Sequence, residues 1–181
     1  MVLWMATKYL WHGGRAVPPG TAVRQVYAWI VDGQGRVLLL GTGGGRFNLP
    51  GGTPEPHDAD WRATLHREVW EEADAIVRDL VPLGYQEVQC DGAPPFVQMR
   101  VAARPDRLHL PTPDPDGGRV YTRHWVPLGR AAGRLAWGAP GRAQEAAAAR
   151  VAAEVYGIRA AAAAAAALGD GVPGGPVVQW A

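Results

Sequence analysis

The sequence predicts a single domain of mixed α and β structure, either α+β or a mixed α/β sandwich. Strand-like segments stand before and after one amphipathic helix, and a second helical segment follows near the C-terminus. No segment repeats at a fixed period. The 181 residues are 48% hydrophobic, which is enough for one packed core.

The first two predicted strands flank a turn. Residues 22–31 (AVRQVYAWIV) and 36–41 (RVLLLG) are rich in aliphatic and aromatic side chains, and a D-G-Q-G turn at 32–35 separates them. This pattern favours a β-hairpin. Residues 1–20 are interpreted as a lead-in to the domain.

A loop rich in glycine and proline, 50–56, leads into the first predicted helix, 60–74. Asp58 or Asp60 can cap the start of this helix. The apolar positions recur every four residues: Trp61, Leu65, Val69 and Ala73.

The second half of the chain predicts further strands and then a helix. The strand-like segments are 75–83, 85–89, 96–103 and 119–126. A loop at 111–118 (PTPDPDGG) joins the last two. An alanine-rich helix is predicted over 141–156, which Gly157 interrupts and residues 158–168 continue. We expect this region to dock against the sheet or to lie at a homodimer contact.

Composition argues against several classes of function. The formal net charge is only +1, so it favours neither nucleic acid nor a membrane surface as partner. Cys90 is the only cysteine, which excludes an internal disulfide. The N-terminus resembles no signal peptide, and segment 160–168 is too short to span a bilayer. We therefore expect a soluble, cytoplasmic protein.

Three glutamates on the first helix point to metal chemistry. Glu68, Glu71 and Glu72 stand at i, i+3 and i+4, so they share an arc of about 100°. Each pair of like charges at this spacing costs about 0.2–0.5 kcal/mol. A hard divalent cation would reverse that penalty, because Mg²⁺ and Mn²⁺ prefer carboxylate oxygens. Taken alone, such a cluster is more often a solvated acidic face.

The loop before the helix favours the metal interpretation. Gly51 and Gly52 allow the backbone to pass close to a neighbour and to present a carbonyl oxygen. Glu55 and Asp58 follow them. A glycine loop, an acidic residue at the helix start and a carboxylate cluster one turn later predict a pocket for metal and phosphate.

This stretch resembles the box of the Nudix hydrolase family, G-x5-E-x7-R-E-U-x-E-E-x-G-U, in which U is a bulky aliphatic residue. Gly52 is followed after five residues by Asp58, and residues 67–72 read R-E-V-W-E-E. The lead-in 47–52 (FNLPGG) is also similar. The resemblance implies a Nudix-like α/β/α sandwich with a mixed sheet over residues 1–156. The alanine-rich C-terminal helix and a Pro/Gly tail then form an extension, 157–181.

The chain departs from the box at three points. Asp58 stands where the family has glutamate, and eight residues rather than seven separate it from Arg67. Asp74 replaces the glycine that usually ends the helix, and aspartate adopts left-handed geometry less readily than glycine. None of these changes touches the glutamate cluster.

The resemblance also implies roles for individual residues. Glu68, Glu71 and Glu72 hold the divalent metal, Mg²⁺ or Mn²⁺, together with a carbonyl of Gly51 or Gly52. The metal neutralises charge on phosphate oxygens and lowers the pKa of a water molecule.

Arg67, Glu68 and Glu71 are the predicted catalytic residues. Arg67 orients carboxylates through bidentate hydrogen bonds. Glu55 and Asp58 are expected to support the loop, and the alternative role for Asp58 is a helix cap.

The general base is open between Glu68 and a carboxylate of the 111–118 loop, Asp114 or Asp116. Arg46, Phe47 and Tyr85 are the predicted substrate contacts. Arg100 and Arg123, on predicted strands, are phosphate contacts if their strands border the pocket, but the favoured interpretation is that both face solvent.

Three functions remain open at this point. The first is a pyrophosphohydrolase whose substrate is a small nucleotide, such as a nucleoside triphosphate or a nucleotide sugar. The second is a catalytically weak module of the same fold that binds or senses nucleotides. The third is an interaction protein that acts through its C-terminal helix, although that helix offers little side-chain bulk for an interface.

Overall fold

The computed structural model of the protein describes residues 7–115 and 117–168. Eight strands and four helices lie in this part of the chain. In chain order they are β1 (Thr7–Gly13), β2 (Val23–Ile30), β3 (Arg36–Gly43), β4 (Arg46–Asn48), β5 (Gly51–Gly52), α1 (Trp61–Ala73), β6 (Ala75–Cys90), β7 (Phe96–Leu108), β8 (Thr122–Pro127), α2 (Ala131–Leu135), α3 (Gly138–Glu154) and α4 (Arg159–Leu168).

A five-stranded mixed sheet in the order β1-β6-β7-β2-β5 forms the centre of the fold. Strands β2 and β7 are parallel, and the other neighbours in this sheet are antiparallel. A three-stranded antiparallel sheet, β4-β3-β8, lies beside it.

The predicted α/β/α sandwich with a mixed sheet is confirmed. Successive side chains of a strand point to opposite faces, and β2 shows this directly. Ile30 packs in one core cluster with Leu65 and Val69 of α1, whereas Trp29 packs in a second cluster with Ala148 of α3. The two helices therefore cover opposite faces of the central sheet.

The predicted hairpin between the first two strands is wrong. Asp32 does make the turn, because its carboxylate accepts hydrogen bonds from the Gln34 and Arg36 backbone N–H groups. Beyond the turn, a single bridge joins Val31 to Val37, and β2 and β3 then enter different sheets. The turn therefore leads the chain from one sheet to the other and does not close a hairpin.

Two other strand predictions need correction. Segments 75–83 and 85–89 form one continuous strand, β6, because Gly84, with φ of +130°, accommodates a shift of register without ending the strand. Part of the predicted lead-in 1–20 is strand β1, which pairs with the second half of β6 along the sheet edge.

The C-terminal helical region docks on the domain. Gly157, with φ of +68°, separates α3 from α4 as expected. Ile158 and Ala161 are buried in the same cluster as α3. Residues 169–181, the predicted Pro/Gly tail, lie outside the described residues. No helix in the described residues is long and apolar enough to cross a membrane.

Candidate active site

Helix α1 carries the glutamate cluster, and Asp60 determines where it begins. The Asp60 backbone is extended, and its carboxylate accepts hydrogen bonds from the N–H groups of Arg62 (2.8 Å) and Ala63 (2.9 Å). This satisfies donors that have no partner within the helix. Of the two cap candidates, Asp60 is therefore the residue that caps α1, and Asp58 is left for another role.

Gly51 brings the loop against the central sheet. Its φ of +137° is a conformation that residues with a side chain rarely adopt, and a Cβ there would lie 2.7 Å from the Tyr27 Cα. Short strand β5 can therefore pair with Val26 and Tyr27 of β2. The Gly51 N–H donates to Glu72 Oε2 at 2.9 Å, which joins the loop to helix α1.

Gly52 leaves room for the carboxylate of Glu68. A Cβ at Gly52 would lie only 2.5–2.6 Å from the three carboxylate atoms of Glu68. The Glu68 carboxylate thus lies directly against the loop backbone. Glu68 and Glu72, one helical turn apart, both face the Gly51–Gly52 strand.

Arg67 connects the acidic side chains around this loop. Its guanidinium donates to Asp58 from Nε (3.2 Å) and from Nη2 (3.0 Å), and Nη2 also donates to the Thr53 carbonyl. Nη1 donates to Glu71 Oε2 at 2.8 Å and lies 3.2 Å from Glu68 and 3.3 Å from Glu55. The supporting loop, 53–58, is therefore held to α1 by one cation.

The electrostatics divide the carboxyl groups into two kinds. The Arg67 hydrogen bonds hold the pKa of Asp58 well below its usual range, so Asp58 is ionised. The pKa of Glu72 is raised to about 7, mainly by burial and also by the charges of Glu68 and Asp114, against the lowering effect of the hydrogen bonds from the Gly51 N–H and Tyr121. Burial also raises the pKa of Glu68, against the lowering effect of Arg67.

The glutamates that face β5 from α1 fit a hard divalent cation. The Glu68 and Glu72 carboxylates are half-buried oxygen donors next to glycine backbone, and a nearby cation would stabilise their ionised forms. Within residues 7–115 and 117–168, no three Asp, Glu, His or Cys side chains already converge on one point. Glu71 is bonded to Arg67.

The loop after β7 approaches the same end of α1. Asp74, in left-handed conformation (φ 46°), ends the helix, and its carboxylate accepts hydrogen bonds from the Thr112 N–H at 3.1 Å and the Thr112 hydroxyl. The His109 N–H donates to the Asp74 carbonyl at 2.8 Å. Further along, Tyr121 hydrogen-bonds Glu72, and the charge of Asp114 acts on Glu72.

A cavity of about 600 Å³ opens on the other side of β5, on the face of the sheet that α3 covers. Arg100, on β7, lies at its floor and is only 2% exposed. The cavity lining also includes Tyr27, Asn48, Gln86, Gln98 and Trp137. The cavity adjoins the glycine loop, because Tyr27 is the β-sheet partner of both Gly51 and Arg100.

A sequence profile described as the NUDIX domain matches residues 21–149, more than two thirds of the chain. The chain belongs to the Nudix hydrolase family. A search of curated proteins found no match.

Solved structures of Nudix proteins share this fold. A MutT protein from Bacillus halodurans is 22% identical over 65% of this chain and 76% of that one, with a TM-score of 0.50. A Nudix hydrolase family member from Chromobacterium violaceum is 19% identical over 84% of this chain and 96% of that one, with a TM-score of 0.51.

A pyrophosphohydrolase from Bacillus subtilis is 22% identical over 59% of this chain, with a TM-score of 0.47. The matched part spans 63% of that protein's length. At these identities the likeness concerns the fold alone.

The structure explains how this Nudix box accommodates its departures. Asp58 is shorter than the usual glutamate, yet it reaches Arg67 and also accepts a hydrogen bond from the Glu55 N–H at 2.9 Å. Asp74 adopts the left-handed conformation for which the family uses glycine, and its carboxylate adds the bonds to Thr112.

The predicted substrate contacts do not meet at the cavity. Tyr85 is buried and stacks on His12 with ring centroids 4.6 Å apart, and its neighbour Gln86 is the residue that lines the cavity. Phe47 packs edge-on against His124, with ring centroids 5.1 Å apart, and Arg46 is exposed at the start of β4. These three residues lie outside the cavity lining.

The prediction that Arg100 faces solvent is wrong. Arg100 alternates with apolar residues along β7, and that alternation alone would equally suit a solvated arginine on an exposed face. The face is buried because α3 covers it, and a single sequence does not show where α3 docks. Tyr27 and Trp137, which line the same cavity, were missed for the same reason.

Proposed function

We propose that the chain hydrolyses a phosphoanhydride bond in a small molecule that contains a nucleoside diphosphate, such as a nucleoside triphosphate or a nucleotide sugar. The observation that carries the proposal is the pair of carboxylates, Glu68 and Glu72, which face the Gly51–Gly52 backbone from helix α1. This arrangement offers hard oxygen donors beside a backbone that a phosphate can approach. A cytoplasmic location is part of the same proposal.

We propose that Mg²⁺ or Mn²⁺ is held by Glu68, Glu72 and Glu71 together with a carbonyl of Gly51 or Gly52. Bound there, the cation supplies positive charge for the phosphate oxygens and makes water a better nucleophile. Glu71 accepts a hydrogen bond from Arg67, which fixes its side chain next to Glu68.

The chain's own residues hold this site in place. Arg67 binds carboxylates on both the loop and the helix, so it fixes the distance between the Gly51–Gly52 strand and α1. Glu68 is the candidate general base that lies against the loop. Asp114 is the second candidate, since its loop is joined to α1 through Thr112; Asp116 lies outside the described residues.

The test is release of phosphate from a panel of nucleoside triphosphates and nucleotide sugars with and without Mg²⁺ or Mn²⁺. Release is coupled to pyrophosphatase for the nucleoside triphosphates and to a phosphatase for the nucleotide sugars, with each coupling enzyme and its cation added after the reaction is stopped. We expect cation-dependent release that falls by about 100-fold or more in Glu72→Gln and Glu68→Gln, because each change removes a charged ligand. Glu154→Gln, an exposed position on α3, is the matched control and should retain full activity.

Full activity in Glu72→Gln would contradict the cation site. If the natural chain binds nucleotides tightly but releases no phosphate with either cation, the nucleotide-binding module becomes the better description. The bond between Arg67 and Glu71 would then be the feature to change first, because it occupies a Glu71 oxygen that a cation would otherwise bind.

A further inference from the structure

The floor of the cavity on the α3 face is made of polar side chains that bond to one another. Arg100 Nε donates to Gln144 Oε1 at 2.9 Å, and Arg100 Nη2 donates to Gln98 Oε1 at 3.0 Å. Gln144 Nε2 donates to Gln86 Oε1 at 2.8 Å. The amide oxygens of all three glutamines therefore already accept a hydrogen bond from within the protein.

Donors, by contrast, are left over. A guanidinium has five N–H groups, and Arg100 uses three of them, the third being a bond from Nη1 to the Met99 carbonyl. In the described part of the chain, no further acceptor binds the other two. The Tyr27 hydroxyl in the lining adds a further O–H donor, and the Asn48 oxygen already accepts from the Leu49 N–H.

Within the part of the chain that the structure describes, the charge of Arg100 has no acidic partner. None of the ion pairs in the described residues involves Arg100, and its guanidinium lies over the rings of Tyr27 (4.8 Å) and Trp137 (5.2 Å). Burial lowers the pKa of Arg100 only to about 10, so the side chain is charged at neutral pH. A buried charge without a counter-charge favours a ligand that brings acceptors to it.

We propose that this cavity binds the base of the substrate and selects a 6-oxopurine, because the O6 and N7 edge of such a base presents only hydrogen-bond acceptors. Adenine presents an N6 donor beside N7 and fits such a floor poorly. The tyrosine and tryptophan rings suit a planar heterocycle, and about 600 Å³ accommodates one. This inference rests on the proposed function, because it assumes that the nucleoside of the hydrolase substrate binds in the cavity next to the glycine loop.

The first test measures binding rather than turnover, so that it does not depend on hydrolysis. Inosine 5′-monophosphate and adenosine 5′-monophosphate form a matched pair that differs at the 6-oxo and 6-amino groups, with the accompanying proton on N1. They have no anhydride bond to cleave. Calorimetry on the full chain should give roughly 10- to 100-fold tighter binding of the inosine nucleotide. Guanosine 5′-monophosphate should bind like the inosine nucleotide, and its 7-deaza analogue more weakly.

Equal affinity for the matched pair, or tighter binding of the adenosine nucleotide, would overturn the proposal. Such a result would leave the hydrolase proposal intact if the phosphate-release panel shows cation-dependent turnover. Conversely, selective binding without turnover would support this inference and contradict the hydrolase.

Substitutions test whether the polar side chains at the floor of the cavity cause the preference for the inosine nucleotide. Arg100→Lys keeps the charge but loses the planar fork, and we expect the preference for the inosine nucleotide to fall at least fivefold while adenosine nucleotide binding changes little. Tyr27→Phe, which keeps the ring and loses one donor, is the milder test if Arg100→Lys does not fold. It should reduce the same preference by a few-fold. An unchanged preference in a folded Arg100→Lys would assign selectivity elsewhere and overturn the proposal.

Discussion

Asp58 is the single residue whose charge most clearly supports the loop beside the glutamate cluster. Its side chain is 4% exposed and accepts two hydrogen bonds from Arg67, which keep the pKa of Asp58 below its unfolded value. Its contribution to stability is therefore present above about pH 4 and is lost as the pH falls. We expect Asp58→Asn to lower the free energy of unfolding at pH 7 by about 1–3 kcal/mol, and urea unfolding at pH 7 and at pH 3 measures the difference.

The matched control for this change lies two residues further on. Asp60→Asn replaces the helix cap with a residue that caps about equally well, so it should change stability little at pH 7. For Asp58→Asn, a loss of stability of the same size at pH 3 as at pH 7 would show that the carboxylate charge is not responsible.

For individual residues, the sequence predicted the close approach of the glutamates to the glycine loop. The helical spacing placed Glu68 and Glu72 on one face, and two adjacent glycines indicated the close backbone approach that the structure shows at Gly51 and Gly52. The positions of the predicted substrate contacts could not be derived in the same way. Whether Tyr85 or Gln86 faces the cavity depends on the phase of β6, which the sheet partners determine.

Between elements, Asp74 joins the end of α1 to the loop that carries Asp114. Asp74→Gly should keep the helix end, because glycine adopts left-handed geometry readily, but it removes both bonds to Thr112. Each lost bond contributes about 1 kcal/mol, so the loss of both should raise local opening of the loop about 30-fold. Trypsin cleavage after Arg119, which is exposed, measures this opening under native conditions.

Thr112→Val is the companion variant, since it removes only the hydroxyl. If the bond between the two side chains is the cause, Asp74→Gly and the double variant should be cleaved at similar rates. Additive effects of the two changes, or cleavage at the natural rate in Asp74→Gly, would show that the loop is held by other contacts.

The order of the helices and strands was predictable from the sequence, whereas the pairing of the strands in the sheets was not. The β-rich segments around residues 22–41 were correctly identified as strands, but the single bridge between Val31 and Val37 separates them into two sheets. A local turn signal carries no information on which distant strand is the partner. Strand β1 was missed for a related reason: it is exposed on an edge and lacks the apolar alternation that marks a half-buried strand.

For the whole molecule, the question is whether the C-terminal region after Tyr156 is an addition to the domain or part of its core. Ile158 is 5% exposed in the cluster that contains Trp29 and α3. A Cβ on Gly35 would lie 3.0 Å from the Ala160 Cβ, so α4 also packs closely on the turn between β2 and β3. The start of the predicted extension therefore contributes to the main core.

Because of this packing, we expect changes in the region after Tyr156 to lower the stability of the protein without removing its activity. Ile158→Ala should lower the free energy of unfolding by about 2–5 kcal/mol, because the methyl groups lost leave a cavity. Val155→Ala, three residues earlier and 51% exposed, is the matched control and should lower the free energy of unfolding far less.

Removal of all residues after Tyr156 should lower the melting temperature at least as much as Ile158→Ala. Cation-dependent turnover should persist below that temperature, since α1 lies on the other face of the central sheet and the cavity lining within the described residues ends at Pro140. A truncated chain as stable as the natural one would show that α4 is an addition, and a folded truncated chain without turnover would show that this region belongs to the active site.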